Sequence, residues 1–425
     1  MTGRDRWRWR GSVAEPAASR RRRAAAMPFI FVVVFIDVLG IGIALPVLPL
    51  LVGEFTASRE LQSYWYGALV VVYGVMQFFC APLLGALSDR FGRRPLLLWS
   101  LLGLGAHFLL LALAPSLAWM FVARVLGGTA GASFTVANAY ASDVSSAERR
   151  AAAFGLVGAA FGLGFIFGPM IGGLLGATDL RLPFYAAAGL SLINAIYGYL
   201  VVPESLPSER RRPFSLKRAN PVTALAALVR HREIGNLVAV FALMILAQLI
   251  LQVTWVLYTN FRFGWGPRDN GFALFLVGLV ATVVQGALLS RLLQRFGEVR
   301  LALAGLAVGM VAYLCYGLAQ HGWMMYAIIV GNFLSFAAGP ALQAVISNAM
   351  GPSEQGITMG ALNSINSIMF VVAPAIGTPL LAAVSHLPPS DWRVGTTFYL
   401  SVILQAIALV LARRHFAIRR VERPA

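Results

Sequence analysis

Cysteine and charged residues are scarce in this sequence, and each scarcity excludes a class of protein. Its two cysteines, Cys80 and Cys315, provide neither a disulfide framework nor the spacing of a metal site, so packing is the expected role of both. Charged residues make up 12% of the 425 residues and hydrophobic residues 59%, which is not the composition of a soluble globular protein. We find no nucleophile elbow, metal-ligand cluster, phosphate-binding loop or sizeable soluble domain, and this disfavours a membrane enzyme or receptor.

Long apolar segments recur from one end of the chain to the other. Each has about 20 residues or more, enough to cross ~30 Å of hydrocarbon as a helix. Twelve such spans are predicted, at 28–51, 63–85, 95–115, 117–141, 151–177, 183–203, 235–258, 271–293, 300–320, 322–347, 356–383 and 394–416. The predicted fold is therefore an all-α integral membrane protein.

The basic residues are distributed unevenly between the segments that connect these spans. The formal net charge is +17. If both termini are cytoplasmic, the external segments hold only Arg59, Arg181, Arg262, Arg268 and Arg393 among the 34 basic residues. This bias follows the positive-inside rule and predicts that both termini lie in the cytoplasm. The positive charge is thus a topology signal, and we expect no nucleic-acid partner.

The longest polar interruption divides the chain into two halves. We predict a basic disordered tail over residues 1–26, a six-helix bundle over 27–204, a cytoplasmic basic linker over 205–233, a second six-helix bundle over 234–416 and a short tail over 417–425. The first tail has a second interpretation, in which Met27 is the true start. The segment Gly85–Arg94 is echoed after the eighth span by 286–297, which favours duplicated halves with a substrate cleft between them and alternating access by rocking.

Three ionisable residues lie well inside the predicted spans: Asp37, His107 and Arg124. A carboxylate at mid-membrane costs roughly 2.5–3.5 kcal/mol on insertion scales, so such residues usually face a cavity and have a function. Arg124 needs an acceptor, and Asp37 is the expected one, directly or through water and side chains such as Gln77 and Asn138. We predict proton coupling by Asp37 and Arg124. A static structural ion pair is the alternative, and His107 is either a proton-handling residue or a packing residue.

Two further motifs are predicted to control conformation. The first, in the turn after the second span, contains Gly85, Asp89, Arg90, Gly92, Arg93 and Arg94, whose mixed charges can form a switchable ion-pair cluster with neighbouring helix ends. The second, in the fifth span, contains Gly164, Gly168, Pro169, Gly172 and Gly173, which give a smooth face for close helix packing. A generic basic turn and a plain packing face are the simpler interpretations of these two motifs.

The chain resembles the twelve-helix drug:proton antiporters of the major facilitator superfamily, and within them the tetracycline-efflux group. The resemblance runs almost from Met27 to the last span and is carried by Asp37, Gly40, Gly42, Pro46, Pro49, Tyr73, Met76, Gln77, 81–85, 340–343, Gln355, Gly356, Gly360, Ser364, Ser367, Pro374 and Gly377. It implies two helical bundles, proton-driven export and a location in the cytoplasmic membrane. In this superfamily, glycines and proline placed as in Gly164–Gly173 are associated with antiporters rather than importers.

The sequence departs from the tetracycline-efflux pattern at three positions. His107 and Gly309 stand where the group carries carboxylates, and Ala281 stands where it carries a histidine. Metal-chelated tetracycline would lack much of its polar site, so tetracycline fits poorly as the substrate.

The predicted substrate is a lipophilic small molecule. The predicted binding residues are Tyr73, Gln77, Asn138, Gln248, Gln252, Trp255, Gln343, Asn363 and Asn366, with Tyr258, Gln285 and Asn332 as further cleft candidates. Hydrogen bonding between helices is the alternative role for each amide. We expect no cofactor besides the proton gradient, no metal, and a monomer surrounded by lipid. An importer or facilitator of a metabolite is the alternative function.

Overall fold

The computed structural model describes residues 17–131, 133–146, 149–211, 213–214, 235–349 and 355–421, and every regular element within these ranges is helical. The spans are α1 (Ala17–Ala44, followed by a short helix Leu48–Gly53), α2 (Arg59–Phe91), α3 (Arg93–Ala112), α4 (Leu117–Ala130 and Ser133–Val144), α5 (Arg150–Gly176), α6 (Leu182–Val201), α7 (Gly235–Phe263), α8 (Pro267–Phe296), α9 (Glu298–Leu318), α10 (Gly322–Gly331 and Ala338–Asn348), α11 (Gln355–Val384) and α12 (Thr396–Val421).

Eleven helices in the described ranges are long and apolar enough to cross a membrane. The two parts of α10 complete a twelfth span, with a 48° bend where Gly322–Gly331 meets Phe333–Asn348. The predicted twelve-helix membrane fold is confirmed. Two helices carry a local irregularity: α4 is interrupted at Gly131, and α8 contains a π-helical turn over Val283–Leu288.

The prediction of a disordered tail over residues 1–26 is wrong for its last ten residues. The backbone of α1 is helical from Ala17 onward, whereas the prediction placed the start of order at Met27. Alanine and arginine, which fill this stretch, are strong helix formers, and the membrane span supplies the helix that they extend. Residues 1–16 of the predicted tail and most of the predicted linker, including 215–233, lie outside the described residues.

Each half forms a bundle of its own. In the first half α1 packs on α5 and α6, α3 packs on α6, and α2 packs on α4. In the second half α7 packs on α11 and α12, and α9 packs on α12. The halves meet along two further pairs, α2 with α11 and α5 with α8.

The contacts between the halves lie toward one end of the bundle, where α2 begins and α5 ends. Gly67 of α2 lies against the Thr378 side chain of α11, and Gly173 of α5 lies against Gly271 of α8. Only glycine permits these approaches, because a Cβ on Gly173 would lie 2.8 Å from the Gly271 Cα. We call these contacts the seal.

At the opposite end, where α1 begins and α12 ends, two glycines of the α5–α8 pair have no close neighbour. A Cβ added at Gly158 of α5 or at Gly286 of α8 would have no neighbour within 4 Å. The close glycine contacts between the bundles in the described residues therefore lie at the seal and not at these two positions.

Candidate functional site

A cavity lies between the two halves, next to the seal. Its wall comes from α1–α4 of the first half and from α7 and α11 of the second, and it comprises Ile41, Ala44, Leu45, Leu48, Tyr66, Val70, Tyr73, Leu104, His107, Phe108, Arg124, Leu249, Gln252, Val253, Phe370, Ala373 and Pro374. The wall is mostly apolar and aromatic, with few polar groups, as is usual for small-molecule sites. Four predicted residues meet in it: Tyr73, His107, Arg124 and Gln252.

Asp37 lies on α1 one helical turn before Ile41 of the cavity wall. It is 4% exposed, and one of its carboxylate oxygens, Oδ2, accepts a hydrogen bond from the Ser133 hydroxyl at 2.5 Å. The other oxygen, Oδ1, is buried and has no hydrogen-bond partner among the described residues. A buried polar atom without a hydrogen bond is energetically costly.

The predicted direct pairing of Asp37 with Arg124 is not present. The Arg124 guanidinium instead lies over the Tyr73 ring, 5.2 Å from its centre, and no carboxylate of the described residues lies within 4 Å of it. The break in α4 at Gly131 places Ser133 beyond Arg124 on the next helical segment and gives Asp37 a neutral partner. The Asp37 carboxylate and the Arg124 guanidinium therefore have different partners and form no direct ion pair.

His107 is held by the backbone of α4. It is 1% exposed, and its Nδ1 lies 2.6 Å from the Ala123 carbonyl oxygen. An imidazole nitrogen this close to a carbonyl carries the proton, so Nδ1 is the donor. This bond fixes the ring orientation while the ring itself lines the cavity.

Glycines of α4 make room for these side chains. A Cβ on Gly127 would lie 2.6 Å from His107 Nδ1, and one on Gly128 would lie 2.6 Å from the Tyr73 carbonyl oxygen. Next to them, the Gln77 side-chain amide donates to the Gly131 carbonyl at 3.0 Å. The glycine run after Arg124 therefore brings α2 and α3 close enough to α4 to place Tyr73 and His107 in the same wall.

The glycine motif of α5 lies against α1 beside Asp37. A Cβ on Gly164 would lie 2.9 Å from the Leu39 nitrogen, and a Cβ on Gly168 would lie 2.7 Å from the Gly42 Cα. Gly172 lies against Ile43, whereas Gly173 faces α8. The motif thus packs against α1, which carries Asp37, on one side and against the second half on the other.

The charged loop after α2 is organised within the first half. Arg93 bonds Asp89 at 2.6 Å and Asp143 of α4 at 2.9 Å. Glu204, just beyond α6, accepts the Arg93 backbone N–H at 2.9 Å. A Cβ on Gly92, whose φ is +107°, would collide with the Glu204 carboxylate. The predicted ion-pair cluster with helix ends is present, and these helix ends belong to α4 and α6.

The remaining motif residues of this loop face other partners. The Arg94 guanidinium donates to the Tyr199 carbonyl and lies over that tyrosine's ring. The Arg90 guanidinium lies over the Phe91 ring at 5.1 Å. A Cβ added at Gly85 would meet only the Thr135 side chain, at 3.8 Å. These contacts keep the loop folded against its own bundle.

The other predicted binding residues lie outside the cavity wall. Trp255 is buried between the Trp265 and Tyr316 rings. Asn138 bonds the carbonyl of Phe134 within α4. Gln248, Asn363 and Asn366 are exposed, and Gln343 is half-buried. Tyr258 bonds the Tyr316 carbonyl, Gln285 bonds the Phe336 carbonyl, and Asn332 is buried at the bend of α10.

Several functional contacts were missed in the sequence. Ser133 and Tyr66 carry no distinctive pattern there, because serines and tyrosines are common in apolar spans. Asp143 and Glu204 were findable, since each is an acidic residue at the end of a predicted span on the side of the basic loop. Among the described residues, no group of three histidine, cysteine or acidic side chains is arranged to hold a metal ion.

The fold and this site define a multi-pass membrane transporter with a cavity between two helical bundles. The family model of the Major Facilitator Superfamily matches residues 30–374. The chain is 38% identical to the tetracycline resistance protein, class C, of Escherichia coli, over 86% of this chain and 92% of that protein. It belongs to the Major Facilitator Superfamily, in the group that contains the tetracycline resistance proteins.

Two further similarities agree with this assignment. The chain is 29% identical to multidrug resistance protein 2 of Bacillus subtilis (strain 168), over 84% of this chain and 88% of that protein. The crystal structure of the human organic anion transporter MFSD10 covers 92% of this chain and 100% of its own, with a TM-score of 0.63 and 25% identity. The predicted family, the predicted class of drug exporter and the membrane location are confirmed.

Proposed function

We propose that this protein exports lipophilic small molecules across the cytoplasmic membrane in exchange for protons, and that Asp37 carries the proton. The observation that supports this most directly is the state of the Asp37 carboxylate. It is buried in a membrane span, it accepts a hydrogen bond from Ser133 on one oxygen, and its other oxygen has no partner among the described residues. A carboxyl group in this setting can take up a proton on that second oxygen and release it when access changes.

Alternation of access is supported by the uneven contact between the halves. They meet at the seal, whereas a Cβ added at Gly158 or Gly286, toward the other end, would have no neighbour within 4 Å. The positive-inside bias assigns the open end to the cytoplasm, with both termini on that side. In this orientation the structure is the cytoplasm-facing state, and rocking about the cavity would open the seal.

The relatives are named as tetracycline and multidrug resistance proteins, which favours a drug as the cargo. The mostly apolar cavity wall favours a drug of low polarity. Gly309 and Ala281 replace the polar residues of the tetracycline-efflux pattern. A Cβ on Gly309 would lie 3.0 Å from the Gln405 side-chain nitrogen, so a larger side chain at this position would require that amide to move. The second half therefore contributes apolar surface and Gln252, and metal-chelated tetracycline remains a poor fit. We propose a lipid-embedded monomer that needs no cofactor besides the proton gradient.

The test is substrate-triggered proton movement in proteoliposomes, using a panel of lipophilic drugs that includes tetracycline. Wild type is compared with Asp37→Asn and with the matched control Asp179→Asn, which lies in the turn between α5 and α6. We expect proton flux with at least one drug in wild type and in the control, and none in Asp37→Asn. Equal proton-free exchange by all three proteins would make Asp37 structural and favour the facilitator.

A further inference from the structure

We infer that the cavity takes an organic anion, with the anionic group of the cargo received by Arg124. The inference deepens the proposed export function, since it names the charge class of the molecule exported. It depends on three observations: a guanidinium with no counter-charge, a cavity wall with no acid, and a tyrosine ring that directs the guanidinium.

The first observation is that Arg124 has no acceptor. Its Nε is buried without a hydrogen-bond partner, and neither an ion pair nor a hydrogen bond to its guanidinium occurs in the part of the chain that the structure describes. Asp37 is bonded to Ser133, and the Ala123 carbonyl is bonded to His107. The side chain is half-buried and lines the cavity, so its guanidinium is in position to form a charge-assisted hydrogen bond with an anionic ligand.

The second observation concerns the cavity wall. Of the described residues that line it, none is acidic, and its polar members besides Arg124 are Tyr66, Tyr73, His107 and Gln252. None of these four groups is a carboxylate. An anionic ligand would therefore meet one cation, several hydrogen-bond donors and no repelling charge.

The third observation disfavours a cationic ligand. A cationic drug would normally use an aromatic face in such a cavity. Arg124 already lies over the Tyr73 ring, at 5.2 Å, and would repel a second cation there. The remaining wall, with Phe108 of α3 and Phe370 of α11 on opposite halves, suits the apolar body of the ligand.

The test uses two probes that differ only in charge. They are 1-anilinonaphthalene-8-sulfonate, an anion, and N-phenyl-1-naphthylamine, the same rings without the sulfonate. Binding is measured by fluorescence in nanodiscs of uncharged lipid, with empty nanodiscs subtracted. Because charge-assisted hydrogen bonds are about twice as strong as neutral ones, we expect wild type to prefer the anion by about tenfold.

Variants assign that preference to Arg124. Arg124→Gln should lose the preference and keep its affinity for the neutral probe within about twofold, because only the charge-assisted bond is removed. Arg124→Lys should retain part of the preference. Arg59→Gln, whose arginine lies over Phe261 outside the cavity wall, should retain all of it. Equal binding of both probes by wild type would overturn the inference even if Arg124→Gln does not fold, and so would an unchanged preference in a folded Arg124→Gln.

This assay separates the inference from the proposed function. It has no proton gradient, and Asp37→Asn should keep the preference for the anion because Asp37 is not in the cavity wall. A retained preference without proton exchange in wild-type proteoliposomes would overturn export and support the anion site. Proton exchange in wild-type proteoliposomes without any preference for the anionic probe would support export and overturn the anion site.

Discussion

Gly42 and Gly168 face each other where α1 crosses α5, and a Cβ on Gly168 would lie 2.7 Å from the Gly42 Cα. This contact lies little more than one helical turn from Asp37. The backbone of α1, which carries Asp37, is thus in direct contact with α5, the helix that also touches the second half. Conformational change in one half can be transmitted to the carboxylate through this contact.

Replacing Gly168 should separate the two helices. Gly168→Ala adds a methyl group where the Gly42 backbone lies, so we expect a cost of about 1–3 kcal/mol and a lower melting temperature. Transport should fall with it. Gly158→Ala, made on the same helix where a Cβ has no neighbour within 4 Å, is the matched control. Thermal melting in detergent and drug exchange in proteoliposomes measure both effects, and equal behaviour of the two variants would contradict the contact.

Ser133 should be required for efficient proton exchange. Its hydroxyl makes the one hydrogen bond to Asp37 in the described residues. Loss of a hydrogen bond to a charged group costs on the order of 1.5–3 kcal/mol, so we expect Ser133→Ala to slow exchange about tenfold or more. Ser133→Thr, which keeps the hydroxyl, should be close to wild type. Stopped-flow measurement of substrate-triggered proton flux tests this, and a fast Ser133→Ala would show that Asp37 does not depend on the bond.

The loop cluster should affect conformational exchange and leave the cavity intact. Asp143→Asn removes the charge that Arg93 meets at 2.9 Å on α4, so the Arg93 guanidinium loses one of the two carboxylates that it contacts. We expect drug exchange to slow several-fold with unchanged affinity for a cavity probe. Glu60→Gln, at the other end of α2, is the control. If Asp143→Asn loses affinity for the cavity probe as well as slowing drug exchange, the substitution acts on the cavity.

Opening of the seal can be forced with a wedge. Gly67 lies against the Thr378 side chain, so Gly67→Phe should hold α2 and α11 apart. In a cysteine-free background, a reporter made by Gln252→Cys in the cavity wall should then react faster with a membrane-impermeant maleimide added outside. Gly189→Phe, at an α6 position with open space, is the control. Unchanged labelling with the wedge would mean that the seal lies elsewhere.

The sequence predicted the features that depend on composition along one helix. Twelve apolar runs gave twelve spans, and the spacing of Gly164 and Gly168 gave the close packing of α5. Features that depend on how helices meet were harder to predict. The acceptor expected for Arg124 was Asp37, because both are rare charges in one half, but the break of α4 at Gly131 supplied Ser133 to Asp37 instead.

The second half shows the same limit. Its amides are polar residues in apolar helices, and the sequence could not tell which face each would occupy. Gln252 lines the cavity, whereas Gln248, one turn earlier on α7, is exposed outside its wall. Trp255 is buried among the rings of its own bundle, because α7 packs on α12 and places that face inward.

An anion site at Arg124 together with a proton site at Asp37 has an electrical consequence. If one proton enters for each monovalent anion that leaves, each cycle carries the equivalent of two positive charges inward. A membrane potential that is negative inside would then drive export by roughly 4.6 kcal/mol per 100 mV, since each charge contributes about 2.3 kcal/mol. Collapsing the voltage alone, with the pH difference held constant, should slow such a cycle.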